Sequence, residues 1–151
     1  GLISASVPEA IMATGCDVLL YDDRNGVFRS TAASGEWLRT ATEKKAYCAS
    51  EEDKAAYARR VMESRTPLIV EGTKHHPLCS APGSLAGKLG VKSVIALPLI
   101  DKGRFLGAMI VESTLARKQL GDQSMEILNA VARLAAAMIA RAESAPAAAT
   151  A

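Results

Sequence analysis

The sequence is poor in aromatic residues, in histidine and in cysteine. Among its 151 residues, aromatic side chains make up 4%, and there are 2 histidines and 3 cysteines. The cysteines Cys16, Cys48 and Cys79 form no CxxC pair. An odd number of cysteines at wide spacing is typical of a reducing cytosol and not of a disulfide framework. The sequence therefore predicts a cytoplasmic protein whose core is built mainly from aliphatic residues and alanine.

Long apolar runs and a strong charge of one sign are also lacking. No run of about 18 apolar residues occurs, so we expect no membrane span. The 18 basic and 16 acidic residues give a net charge of +2, which does not favour nucleic acid as a partner. Hydrophobic residues make up 49% of the chain, enough for a sizeable core. We expect residues 1–144 to form a single domain and the Ala/Pro-rich tail, residues 145–151, to be a linker or disordered.

Two apolar segments in the second half of the chain predict neighbouring strands. Residues 91–99 and 105–113 flank a short polar turn at residues 101–104. Both segments are apolar at successive positions, which indicates strands that are covered on both faces. Pro98 cannot donate a hydrogen bond to a neighbouring strand, so it predicts a bulge or an open side at that point.

The first half of the chain predicts a second hairpin. Strands at residues 16–21 and 27–33 flank a turn that contains Asn25-Gly26, a pair favoured in tight hairpins. The other predicted elements are, in chain order, a helix at 8–14, a loop at 36–49, a helix at 50–64, a strand at 68–70, an irregular segment at 73–82 and a short helix at 84–89.

The apolar pattern of residues 122–143 predicts a long final helix, about 30 Å in length. One apolar seam consists of Met125, Leu128, Ala132, Ala135, Ile139 and Ala142, and it is widened by Ile127, Val131, Leu134 and Met138. This is more apolar surface than one contact face needs. We expect the helix to pack on the sheet and to contact a second copy of the chain. The alternative is that the core of one copy uses the whole seam.

The order of elements predicts an α+β fold. Two hairpins imply an antiparallel sheet and not a βαβ winding. We expect a central antiparallel sheet of about five to six strands with helices on both faces, in three layers.

The same residues resemble the GAF domain, a small-molecule sensory module. The resemblance is carried by GVKSVIALPL at residues 90–99, Gly103, GAMIVES at residues 107–113, Asp122 and the final helix, with weaker support from residues 58–70. It implies a regulatory domain of a cytoplasmic bacterial signalling protein, with a two-component sensor histidine kinase as the leading parent. It also implies homodimers through the terminal helices and an effector domain in the parent chain, with the state of the pocket relayed through the C-terminal helix.

The resemblance further implies a pocket for an unknown small-molecule ligand. We expect this pocket between the sheet near Val94, Ala96 and Met109 and residues 66–89. The polar candidates are Arg65, Glu71, His75, His76, Cys79 and Ser93.

Specific cofactors are not favoured. The Asn-Lys-x-Phe-Asp-Glu motif of cyclic-nucleotide-binding relatives is absent from residues 113–122. Cys79 is followed by Ser80 and aromatic residues are scarce, so no bilin or haem is expected and the cofactor is left unknown. His75, His76 and Cys79 are suitable ligand types for zinc or iron, but a structural zinc takes four ligands, so we expect no metal.

No defensible catalytic group is present, so we expect this domain not to be an enzyme. A free methionine sulfoxide reductase of the GAF family would need redox cysteines such as Cys48 and Cys79 within about 7 Å at Cα. The residues around them do not resemble that enzyme. Three interpretations are carried forward: a ligand sensor, a ligand-free dimerisation and relay module, and, least favoured, such a reductase.

Overall fold

A computed structural model describes residues 13–35, 51–71, 92–113 and 115–144. The elements are β1 Ala13–Asp22, β2 Val27–Gly35, α1 Glu51–Ser64, β3 Leu68–Glu71, β4 Ser93–Asp101, β5 Arg104–Ser113, a 3-10 turn at Arg117–Gln119 and α2 Asp122–Ser144. The strands form a sheet in the order β2-β1-β5-β4-β3, with every neighbouring pair antiparallel. The predicted α+β class with an antiparallel sheet is confirmed.

The two helices cover opposite faces of this sheet. Successive side chains of a strand point to opposite faces, so each strand contributes to two cores. We call the sheet side under α1 the α1 face; its core, with α1, comprises Leu19, Ala58, Val61, Val94, Ala96, Ala108 and Ile110. We call the opposite side the α2 face; its core, with α2, comprises Cys16, Val18, Ile95, Leu97, Leu99, Leu106, Met109, Val111, Leu120, Leu128, Ala132, Ala135 and Ala136. The helical layers predicted on both faces are present.

β4 and β5 form the centre of the sheet, as their apolar sequences predict. The register pairs Leu97 with Met109 on the α2 face and Ala96 with Ile110 on the α1 face. These four side chains are almost completely buried. β5 also pairs with β1 on its other edge, so it has a strand on each side and a helix over each face.

A bulge lies next to Pro98, as its sequence predicts. The register of β4 against β5 shifts between Leu99 and Ile100, and Leu106 is the extra residue. Leu106 joins the α2-face core, while the preceding Phe105 packs against the α1-face core. β3 pairs with β4 only from Ser93 to Ala96, so Pro98 lies beyond the last described pair on that side.

The two hairpins have different turns. In the β4–β5 turn, Lys102 and Gly103 both have positive φ (48° and 80°), as in a two-residue type I′ turn. The predicted turn that contains Asn25-Gly26 is confirmed: residues 23–26 join β1 to β2, and among them only Gly26 has a positive φ, 66°. The Asp22 carboxylate stabilises this loop, because it accepts hydrogen bonds from the backbone N–H groups of Arg24 and Asn25.

The start of β1 differs from the prediction. Ala13 and Thr14 belong to a strand and not to the end of a helix, because Ala13 pairs with Ser113 at the far end of β5. The rest of the predicted helix at residues 8–14, the loop at 36–49, the segments at 73–82 and 84–89 and the tail at 145–151 lie outside the described residues. Neither described helix has the length and apolar character needed to cross a membrane.

Candidate functional site

The two faces of the sheet differ in their buried polar residues. Among the described residues, the buried polar side chains are Asp17, Ser93, Glu112 and Ser113. The serines lie on the α2 face, where they fix the chain after β5. The Ser93 hydroxyl donates to the Leu115 carbonyl at 2.6 Å, and the Leu115 N–H donates to Ser113 Oγ at 3.1 Å. Asp17 is opposite Ile110 and Glu112 is opposite Val94, and both of these partners belong to the α1-face core. The two carboxylates therefore lie on the α1 face.

Asp17 and Glu112 are diagonal neighbours on β1 and β5. Asp17 is opposite Ile110, and Glu112 is opposite Gly15 of β1 and Val94 of β4. Such diagonal positions on adjacent strands are about 7–8 Å apart. Asp17 is 0% exposed and Glu112 is 2% exposed. Burying a carboxylate is costly unless other groups compensate for the lost water, and neither residue is without a partner.

These two acids are not among the site residues that the sequence predicts. The available signal is a single carboxylate at an inward position of an otherwise apolar strand. Strand alternation places Asp17 on the same face as Leu19, and Glu112 on the same face as Ile110. Such positions are unfavourable for packing alone, which makes a buried acid a useful indicator of a site.

Two of the predicted pocket residues lie on the other face. The register pairs Met109 with Leu97, and Met109 is buried in the α2-face core. Ser93 is also buried there and bonds to Leu115. Because Val94 and Ala96 point to the α1 face, Met109 and Ser93 do not line a site together with them. The expected pocket stays a prediction, with Met109 and Ser93 on the face opposite Val94 and Ala96.

Arg65 lies beyond the last residue of α1 and is exposed. Its φ is 56°, and its backbone N–H closes the helix by donating to the Val61 carbonyl at 2.8 Å. Its guanidinium Nη1 donates to the Gly103 carbonyl at 2.7 Å, so the side chain binds the β4–β5 turn. Glu71 is exposed at the end of β3, opposite Ser93, and is not without a partner.

The other predicted candidates, His75, His76 and Cys79, lie outside the described residues. The structure does not gather the described candidates into one site, because Arg65 binds a turn, Glu71 ends β3, and Ser93 and Met109 lie on the α2 face. Within residues 13–35, 51–71, 92–113 and 115–144, no cluster of three or more His, Cys, Asp or Glu side chains could hold a metal ion.

Cys16 is the free cysteine of the described part of the chain. Burial, with a smaller contribution from the charge of Asp17, raises the pKa of its thiol to about 12. A thiol with such a pKa carries almost no thiolate at neutral pH. Cys16 is therefore a core residue and is unsuited to act as a nucleophile.

Two arginines join α1 to the hairpin turns at one end of the sheet. Arg59 Nη2 donates to the Gly26 carbonyl at 3.0 Å in the β1–β2 loop. Arg65 makes the corresponding contact with the β4–β5 turn. Beneath them, the rings of Tyr21, Phe28 and Phe105 pack with centroid distances of 5.0 to 6.3 Å. α1 is thus fixed over the α1 face by contacts with both hairpins.

The arrangement of an antiparallel sheet between α1 and α2 agrees with the family comparison. The sequence profile of the GAF domain matches residues 4–139. The chain belongs to the GAF family. GAF domains are generally regulatory and not catalytic. No curated protein matches the chain.

Solved structures share the fold of this GAF domain at low sequence identity. A domain of a provisionally named two-component sensor histidine kinase from Sinorhizobium meliloti 1021 has a TM-score of 0.61 at 18% identity, covering 92% of this chain and 86% of that one. A GAF domain/HD domain protein from Geobacter sulfurreducens has a TM-score of 0.64 at 14% identity, covering 94% and 90%. The free methionine-R-sulfoxide reductase from Neisseria meningitidis has a TM-score of 0.53 at 17% identity, covering 84% and 67%. At such identities the likeness concerns the fold alone.

Proposed function

We propose that this GAF domain is a regulatory, small-molecule-sensing module of a cytoplasmic bacterial signalling protein. A two-component sensor histidine kinase is the proposed parent, and α2 carries the state of the pocket to its effector domain. The observation that carries the proposal is the unequal chemistry of the two sheet faces within a GAF fold. Among the described residues, the buried polar side chains of the α2 face are two serines, whereas those of the α1 face are two carboxylates.

The proposed pocket lies over the α1 face, beside β3. Val94 and Ala96 supply its apolar floor, and Asp17 and Glu112 supply the polar groups beside it. The part of the expected segment 66–89 that follows β3 forms the proposed second wall, on which His75, His76 and Cys79 stay as candidates, and Glu71 stays a candidate at the end of β3. Acidic side chains at such a site favour ligands that carry a positive charge or several hydrogen-bond donors.

A melting-temperature screen against a panel of metabolites tests this proposal. A ligand that binds only the native state raises its stability, by about 2.7 kcal/mol at a ligand concentration 100 times Kd. The neutral variants Asp17→Asn and Glu112→Gln should lose most of the shift that a cationic metabolite produces. Glu63→Gln is the matched control, because Glu63 is an exposed acid on α1. A panel without any shift would favour the second candidate.

The second candidate is a ligand-free module that dimerises and relays signals. It is favoured by an exposed apolar stripe on α2, where Leu134 is 56% exposed and Met138 is 50% exposed. Ile127 and Val131, both half-buried, continue the stripe. The spacing of four, three and four residues between these positions is typical of a seam between two helices. A second copy of α2 is the partner that we propose for this stripe.

Sedimentation equilibrium tests the dimer. Leu134→Glu places a charge in the stripe and should shift the protein to the monomer. Arg133→Glu introduces the same side chain at an exposed position at least 100° away around the helix, and it should leave the association unchanged. Equal association of the wild type and the Leu134→Glu variant would exclude this interface.

A reductase function is not proposed. It would depend on Cys48 and Cys79, which lie outside the described residues, and the thiol of Cys16 is unsuited to the chemistry.

A further inference from the structure

We propose that the β4–β5 turn couples α1 to the last turn of α2. Arg65 binds the carbonyl of Gly103 on one side of the turn, and Arg104, the next residue, binds Glu143 of α2 on the other side. This inference rests on the proposal that α2 carries the output, and it specifies the route by which α1 reaches α2 although the two helices lie on opposite faces of the sheet.

The contact on the α1 side is a charge-assisted hydrogen bond. The guanidinium of Arg65 lies 2.7 Å from the Gly103 oxygen. Arg65 has a positive φ of 56°, a conformation in which glycine is most often found after a helix. The arginine side chain makes a contact with the turn that glycine could not make. A shift of the C-terminal end of α1 therefore displaces the turn.

The contact on the α2 side starts one residue later. Arg104 Nη1 lies 3.2 Å from Glu143 Oε2, and Glu143 belongs to the last turn of α2. Asp101 and Arg104 are paired directly across the two-residue turn, which restricts the backbone between the Gly103 carbonyl and the Arg104 side chain. A displacement of Gly103 is thereby passed to the end of α2.

The residues that follow connect the same hairpin to both cores. Phe105 packs against Tyr21 and Phe28 on the α1 side. Leu106, which is 4% exposed, is buried in the α2-face core. Such alternation is the ordinary period of a strand, and the bulge at Leu99, where Leu106 is the extra residue, sets which face each of these side chains takes. Residues 103–106 thus contact the α1 layer and the α2 layer in turn.

The expected coupling is small because the ion pair is exposed. The side chains of Arg104 and Glu143 are 66% and 45% exposed. Exposed ion pairs change local equilibria by about two- to five-fold, and salt weakens them. We therefore expect loss of the ion pair to change the equilibrium for local opening of the last turn of α2 by about two- to five-fold.

Hydrogen exchange of the amides of residues 140–144, in the chain without ligand, tests the route. Arg65→Gly removes the guanidinium and accepts the positive φ, and Glu143→Gln removes the charge on α2. Each substitution should accelerate exchange at residues 140–144 by about two- to five-fold. In the double variant, Arg65→Gly should add nothing, because its effect passes through the missing pair. Arg60→Ala, an exposed arginine of the same helix, is the control and should leave exchange there unchanged.

Two results would overturn the proposal. One is unchanged exchange at residues 140–144 in Arg65→Gly; the other is an Arg65→Gly effect of the same size with Glu143→Gln as without it. A salt series checks the route without disturbing α1, since at about 1 M salt the difference between the wild type and Glu143→Gln should disappear. The outcome is independent of ligand sensing. A metabolite that raises the melting temperature would support the sensor even if the exchange experiment showed no coupling. Coupling in the exchange experiment, together with a metabolite panel that gives no shift, would support the relay module.

Discussion

Of the four glycines Gly26, Gly103, Gly107 and Gly121, only Gly107 has backbone atoms where a Cβ atom would lie. It lies in the central strand β5, opposite Leu20 of β1 and Leu99 of β4. A Cβ atom at Gly107 would overlap the carbonyl oxygen of Leu19 and would approach the Cα of Leu20 to 3.0 Å. These are backbone atoms of a neighbouring buried strand, so they cannot move aside as the end of a flexible side chain could. Gly107→Ala must therefore separate β1 from β5.

The cost of this substitution should be large compared with the stability of a domain. Overpacking of a well-packed core costs typically about 1–3 kcal/mol, and overlap with backbone belongs at the upper end of that range. We expect the free energy of unfolding to fall by about 3 kcal/mol, out of a typical total of about 5–15 kcal/mol. Urea denaturation followed by circular dichroism measures the change. The midpoint should fall, while the slope of the free energy against urea concentration should stay the same.

Two other glycines provide controls for this reasoning. A Cβ atom at Gly121 would meet no atom within 4 Å, so Gly121→Ala should change the stability by less than about 0.5 kcal/mol. Gly103 also has open space, but its φ is 80°, so Gly103→Ala should cost about 1 kcal/mol through backbone strain alone. If Gly107→Ala were as stable as Gly121→Ala, the assigned register of β1 against β5 would be refuted.

Three further predictions concern the core, a thiol and a turn. Leu128 is fully buried in the α2-face core, so Leu128→Ala should lower the free energy of unfolding, measured in urea, by about 2–5 kcal/mol. Leu134→Ala should lower it far less, because Leu134 is exposed. In a Cys48→Ser/Cys79→Ser variant, Cys16 should react with a thiol reagent only after urea unfolds the protein, because burial raises its pKa to about 12. Hydrogen bonds from the Asn25 side chain, and then from the Asn25 and Arg24 backbone, lower the pKa of Asp22 below its usual 3.8. Asp22 therefore stabilises the fold above its unfolded-state pKa, and this contribution is lost as the pH falls through the folded value; Asp22→Asn should remove that acid dependence in a urea series at different pH values.

The centre of the sheet could be predicted from the sequence because its signals are local. Residues 93–101 and 104–113 are apolar at successive positions, and an Asp-Lys-Gly-Arg turn separates them. The final helix has a continuous apolar seam and an acidic first residue, Asp122. The start of β1 could not be predicted in the same way. Ala13 and Thr14 are in a strand because of pairing with the far end of β5, about 100 residues along the chain.

The site was harder to predict because it depends on strand register. The sequence alone does not show that Met109 is opposite Leu97, and a shift of one residue would place it on the α1 face. Asp17 and Glu112 become informative only when the register shows that they share a face.

A signal from α1 can reach the end of α2 because the middle of α2 is packed firmly on the sheet while its last turn is held only by an exposed ion pair. The α2-face core holds the middle of α2 through Leu128 and the small residues Ala132, Ala135 and Ala136, which allow the helix to lie close to the strands. The last turn of α2 is held to the hairpin by the exposed Arg104–Glu143 pair. A pair that changes a local equilibrium by only about two- to five-fold can be released at a free-energy cost far below that of global unfolding. The end of α2 can therefore respond to a shift of α1 while the sheet stays intact, which a fully buried contact at Glu143 would prevent.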